Sequence, residues 1–238
     1  MTKSTDVAIK GQATNLERRQ QQVGRGSENV TKDDLALPRL KLLQALNPEV
    51  TKGSAQYIPE AETGMIMNSL NSKLFNKLFI INLHYDRKTV VWRKRKFGGG
   101  MFGTYMDEAE ALQALADAKE DAAQYDISDN PTHLVMLLSD SGEPMGVALL
   151  DMPGTKAKIS RKWNSLIAEQ EEAGNPRFGC VWELGVTNET SQNGPYFNYD
   201  IDFVVVAPDE IYAAAENAFN SFFGQAASQP QEQDEDAA

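Results

Sequence analysis

Four consecutive cations, Arg93, Lys94, Arg95 and Lys96, sit between Trp92 and Phe97, and a glycine triplet follows before Phe102 and Tyr105. Side chains of these types at this density suit a polyanion. Cations neutralise phosphates and release their condensed counterions, while rings stack on unpaired bases for about 1–3 kcal/mol per base. Lys73, Lys77, Arg87 and Lys88 precede the run, so residues 71–105 carry eight cations against Asp86 alone. An edge strand guarded by lysine accounts for one or two such charges. Four in succession place charge on both faces of a strand, because side chains alternate, and a polyanion groove explains them better. A second cluster, Lys156, Lys158, Arg161 and Lys162, falls in the first turns of a predicted helix, where the macrodipole disfavours cations. Two readings stay open there: a bound anion compensates them, or acids such as those of 107–124 do.

No catalytic constellation accompanies these charges. The phosphate-loop pattern is absent, since "MPGTKAKIS" has one glycine before Lys156 at the wrong spacing, and "FGGGMFG" lacks the order of a dinucleotide-binding turn. Neither a GxSxG nor an HExxH occurs. Cys180 is the only cysteine, and His84 and His133 are the only histidines. That excludes an intrachain disulfide, a cysteine-based metal site and the usual zinc and Ser-His-Asp sets. The expectation is a protein that is not an enzyme and takes no cofactor or metal.

The chain as a whole is acidic, with a formal net charge of -11. The charge is segregated, and segregation is what bears on partners. Residues 106–151 hold eleven acids and one lysine, and the last eight residues, "QEQDEDAA", add four more acids. A hydrophobic fraction of 41% suffices for a core. With no apolar run of about 18 residues and no apolar N-terminal region, the expectation is a soluble protein of the cytoplasm.

The elements that must position these residues follow from pattern. Residues 1–32 are polar and read as a flexible segment, 33–224 as a single domain, and 225–238 as a disordered acidic tail. "LPRLKLLQ" reads as a short strand and "GMIMNSL" as a weaker one. "KLFIINLHY" continues through "TVVWRKRKF" as one long bent strand or a hairpin, and the glycine triplet then releases the backbone into a loop. An Ala/Leu-rich helix is predicted over 107–124, a hairpin around "DSGEP", and an amphipathic helix with Ile159, Trp163, Leu166 and Ile167 on one stripe. A second hairpin spans "FGCVWELGVT" and "YFNYDIDFVVV", and a helix follows Pro208 and closes the domain. The fold class is α+β with mostly antiparallel strands. Its order fits an OB-like five-stranded barrel with inserted and C-terminal helices, whose gripping loops fall near 97–131 and 188–195.

Alternation sorts the rings. Trp182 shares a face with Phe178, Cys180, Leu184 and Val186 and reads as core, as does Trp163 on its helical stripe. Tyr196 lies on the polar face of its strand with Asn198 and Asp200. Trp92 shares a face with Lys94 and Lys96. Trp92, Phe97, Phe102, Tyr105 and Tyr196 are therefore the candidate stacking rings.

With an OB-like core, a basic-aromatic surface and an acidic C-terminus, the chain resembles the phage-encoded single-stranded-DNA-binding proteins. "PRLKLLQALNPEV" and "VVWRKRKFGGGMFGTY" are similar to segments of a family of phage early proteins regarded as DNA-binding. The resemblance implies sequence-independent binding and protection of single-stranded DNA during phage replication or recombination, in the host cytoplasm. It also implies an acidic tail that competes with DNA and hooks replication or recombination proteins. Tails of that family commonly end in a hydrophobic residue, whereas this one ends in Asp236, Ala237 and Ala238. The alternative is a non-enzymatic structural or host-modulating interaction protein, with the cationic run docking an acidic protein face. Neither reading fixes the oligomeric state, and an oligomer is compatible with both.

Overall fold

The computed structural model describes residues 21–30, 34–192 and 194–223. The chain divides into two compact units after Ala36, and all strands and α-helices among the described residues lie in the second. The acidic tail and most of the polar N-terminal segment fall outside the described residues.

The expected order of elements is present, in an α+β fold whose strand ladders are antiparallel. Strands β1 (Leu40–Leu42), β2 (Ile66–Asn68) and β3 (Leu74–Phe75) form a small sheet. The main sheet contains β4 (Leu78–Arg93), β5 (Met101–Tyr105), β6 (Tyr125–Leu138), β7 (Pro144–Asp151), β8 (Cys180–Ser191) and β9 (Gly194–Val206). Its order is β7-β6-β4-β8-β9, with β5 beside the far end of β4. Helices α1 (Glu108–Asp117), α2 (Ala157–Glu172) and α3 (Asp209–Phe223) complete the unit.

β4 is one strand, not a hairpin. Asp86, Arg87 and Lys88 pair across to Thr132, Pro131 and Asn130 of β6, so the polar "DRK" continues the ladder instead of turning. At about 3.3 Å per residue its 16 residues span about 50 Å, and its two halves have different surroundings. Phe79–Ile81 lie between β8 and β6, in the body of the fold. Thr89–Trp92 lie between β5 and β6 and form a three-stranded arm.

In the body both faces of the sheet are covered. Ile80, Val135, Leu137, Leu150, Trp182 and Ile201 face α2, which supplies Ile159, Trp163 and Ile167, together with Leu40, Leu42 and Ile66 of the small sheet. Ile81, Leu83, Leu134, Met136 and Val181 face α3. This double coverage is why "HLVMLL" is continuously apolar. In the arm, α1 alone packs on the strands, over a small core of Val91, Ala111, Leu115 and Tyr125.

The sheet is not closed by a ladder between its outer strands. Residues 38–44 occupy that seam. Leu149 N–H of β7 donates to the Pro38 carbonyl at 2.8 Å, Arg39 pairs with Asp151, and the Tyr199 hydroxyl of β9 donates to the Leu40 carbonyl at 3.2 Å. The helix predicted over 107–124 is also shorter. Asp107 caps it by accepting from Glu110 N–H, but Lys119 takes a left-handed φ of 58° and ends it. The region 97–131 is therefore not a free loop but β5, α1 and the first half of β6. Most of 188–195 likewise belongs to β8 and β9.

Candidate nucleic-acid interface

The cationic run sits at the tip of the arm, where the strand ends. Arg93 closes the hairpin by donating its N–H to the Gly100 carbonyl at 2.8 Å. Arg95–Phe97 form a 3-10 turn, and Gly98, Gly99 and Gly100 take φ of 110°, 70° and 104°, where a side chain would be strained. The alternation expected through Lys96 thus stops at Arg93.

The turn divides the four cations by role. The Arg93 guanidinium lies over the Tyr125 ring at 5.7 Å, donates to Gln124 Oε1 at 3.3 Å and pairs with Glu120 at 3.6 Å. Lys94 Nζ donates to the Ala123 carbonyl at 2.8 Å and lies 3.8 Å from Asp126. These two cations pin residues 120–126 to the arm. Arg95 and Lys96 are exposed, and among the described residues neither has an acidic partner within 4 Å. Lys96 Nζ sits 4.9 Å from the Phe97 ring centroid.

The candidate rings divide in the same way. Trp92 is 48% and Phe97 40% exposed. Phe102 and Tyr105 are half-buried on the α1 core, with Phe102 edge-on to Tyr125 at 5.3 Å. Tyr196 is half-buried and its hydroxyl is spent on Glu189. Met101, which nothing in the sequence singles out, is exposed beside the tip, and Met106 is exposed at the base of the arm.

The remaining cations do not join this cluster. Lys73 and Lys77 flank the opposite end of β4, where Lys73 lies over Phe75 and Lys77 pairs with Glu183 at 2.8 Å. Arg87 and Lys88 lie midway, 3.9 Å from Asp129 and 3.5 Å from Asp86 respectively. In the α2 cluster the compensating charges are acids of β8 and β9, not those of 107–124. Lys158 pairs with Glu189 at 2.6 Å, a bond that raises the lysine's pKa and lowers the carboxylate's. Lys162 pairs with Asp200 at 3.3 Å and Asp202 at 3.9 Å. Lys156 is partly buried 5.2 Å from the Tyr199 ring, and burial lowers its pKa. Arg161 alone of this group is exposed with no ion pair among the described residues.

A polar network that sequence reasoning missed lies in the body. Asn82 Nδ2 donates to His133 Nδ1 at 2.8 Å, which leaves Nε2–H to donate to Ser160 Oγ, also at 2.8 Å. Arg177 donates to Asn164 Oδ1 at 3.0 Å and to Asn82 Oδ1 at 3.4 Å. The His133 ring packs 4.6 Å from that of Trp163, and burial, reinforced by the Arg177 charge, pushes its pKa down to about 3. With Nε2–H donating, the Ser160 hydroxyl accepts this bond, and both groups are buried. Only the polar residue inside each apolar run hinted at it. Among the described residues no group of histidine, cysteine or carboxylate side chains is placed to hold a metal ion.

The profile of the Pam3 phage gp34-like protein family matches residues 4–228, which span the body and the whole arm. The chain belongs to that family. It is therefore a phage protein, and the match extends beyond the described residues at both ends. No curated protein and no solved structure matches the chain. Among the described residues of this Pam3 gp34-like protein, no helix is long and apolar enough to cross a membrane.

Proposed function

We propose that the protein binds single-stranded DNA without sequence preference, coating and protecting it during phage replication or recombination. One observation carries this reading: Trp92 and Phe97 are exposed beside Arg95 and Lys96, whose charges are not spent on acids of the described residues. The rings stack on bases and the two cations hold phosphates. The topology is in keeping with it. Counting the five long strands in chain order, the sheet runs third-second-first-fourth-fifth, with α2 between the third and fourth. That order supports the OB-like reading, with residues 38–44 in the seam where a last ladder would close a barrel. The arm grows from the connection between the first two strands, one of the two with which such barrels grip a strand. The acidic tail, 225–238, serves as a tethered competitor for the arm cations, displaced by DNA and then free for replication or recombination proteins.

Titrating the protein into fluorescein-labelled oligo-dT at about 50 mM salt tests this. Anisotropy is expected to rise to saturation, and the Arg95→Ala/Lys96→Ala double variant to bind roughly tenfold more weakly. No rise at that salt overturns the proposal. It would favour instead a structural or host-modulating interaction protein, a reading that the exposed apolar run Phe203–Val206 supports.

A further inference from the structure

Among the described residues, the outer edge of β9 is capped along half its length and bare along the rest. Gln44 stands in for a neighbouring strand: its side-chain amide accepts from Phe197 N–H at 3.0 Å and donates to the Phe197 carbonyl at 2.8 Å. Asn198 and Asp200 accept from the N–H groups of Tyr199 and Ile201, both at 3.0 Å, and Lys162 Nζ donates to the Ile201 carbonyl at 3.1 Å. After Asp202 this protection ends. Phe203, Val204, Val205 and Val206 are each 43–45% exposed on a strand at the edge of the sheet. Bare apolar edges are templates for another strand, and soluble proteins guard them with charge, proline or cover. Here the side-chain guard stops four residues short, and only a bulge at Val204 interrupts the bare stretch.

A groove lies beside the bare half. A bulge makes Val204 an extra residue between the partners of Val181 and Trp182. Phe203 sits edge-on to Trp182 at 5.6 Å, while Val204 and Val205 line a groove of about 260 Å³ with Phe79, Val181, Pro208 and Ile211. A strand added to this edge would set alternate side chains beside Val204 and Val205, at the rim of that groove. The surroundings are acidic, with Asp140 in the groove wall and Asp200, Asp202, Asp209 and Glu210 flanking the run in sequence. Lys77 and Lys162 are already engaged, by Glu183 and by Asp200 and Asp202.

That charge pattern selects the occupant. A second copy would bring its own Asp200, Asp202, Asp209 and Glu210 to the same seam, and like charges brought together there are destabilising. We propose that the bare half of the β9 edge, Phe203–Val206, docks an extended segment of another protein, apolar at alternate positions and flanked by lysine or arginine. The segment joins the sheet as a further strand.

The test uses the full chain and a fluorescein-labelled peptide, Lys-Arg-Val-Thr-Val-Thr-Val-Lys-Arg. Binding is expected in the micromolar range. It should weaken roughly tenfold or more when the flanks are changed to glutamate or the core to glycine and serine. Methylating alternate backbone amides of the peptide should abolish it, a readout that needs no protein variant. Val205→Lys should weaken it by a similar factor at unchanged helix and strand content, and Val204→Lys serves if that variant unfolds. The proposal is overturned by no binding up to about 1 mM peptide, or by equal binding of the glycine-serine peptide. Sedimentation showing a dimer that Val205→Lys dissociates would assign the edge to a second copy instead. Tighter binding of a peptide of residues 1–20 would assign it to the chain itself, and either result also overturns the proposal.

Discussion

The body and the arm share strands β4 and β6 but use charge in opposite ways. In the body Lys77, Lys158 and Lys162 each meet a carboxylate of β8 or β9. In the arm two cations turn inward to hold residues 120–126, and Arg95 and Lys96 are left facing solvent beside two exposed rings. The body covers the sheet on both faces, whereas the arm has only α1 on its strands. A cation count along the sequence is therefore not a map of binding surface. What matters is which cations the fold has already paired.

The largest expected effect lies in the body. Trp163 is fully buried between His133 and Trp182, so Trp163→Ala should cost about 3–5 kcal/mol. A loss of that size is a large part of the stability of a typical domain, and the urea midpoint is expected to fall accordingly. Next in size is the contrast in binding. Arg95→Ala/Lys96→Ala should lower oligo-dT affinity roughly tenfold with little change in Tm, whereas Lys158→Ala/Lys162→Ala should change affinity less than about twofold. Equal losses from the two pairs would erase the distinction between arm and body.

Acid should act on the body as well. His133 is neutral in the fold, its pKa lowered to about 3, and the unfolded chain binds its proton near pH 6.5. The unfolded state therefore holds more protons between those values, and stability should decline as pH falls from about 6.5 towards 3, by at most about 1.4 kcal/mol per unit. Chemical denaturation across this window, compared with His133→Asn, checks the His133 share, which the variant should lack while the slope from acids such as Glu189 remains. The smallest effect belongs to the tip. Gly99 has φ 70°, so Gly99→Ala should strain the turn by about 1 kcal/mol. It should reduce oligo-dT affinity a few-fold and lower Tm by only about 2–4 °C.

Much of the fold was legible locally. The two hairpins and the α2 stripe announce themselves by period, and the same periodicity put Trp163 and Trp182 in the core. Register and partner choice were not legible. Lys158 meets Glu189 across 31 positions and Lys162 meets Asp200 across 38, separations over which no spacing rule operates. Asp126, Asp129, Asn130 and Pro131 read as turn formers, yet they lie in β6 because β4 runs alongside the whole segment. The same long ladder turned a supposed loop into an arm. It also placed Phe102 and Tyr105 under α1, which hydrophobic alternation in so short a strand did not foretell. Of the tip only the glycine triplet was readable: its positive φ values require a turn, but the turn begins at Arg95, where strand alternation is expected.

The central claim, that the arm tip holds single-stranded DNA, is tested most directly by tryptophan fluorescence. Trp163 and Trp182 are fully buried and Trp92 is exposed, so quenching by oligo-dT reports on the tip. Saturable quenching is expected. Its affinity should fall with salt at a slope near that of two released phosphates, about -1.4 at roughly -0.7 each, and the quenching should be lost in Trp92→Phe. Quenching that persists in Trp92→Phe, or none at low salt, would contradict the claim.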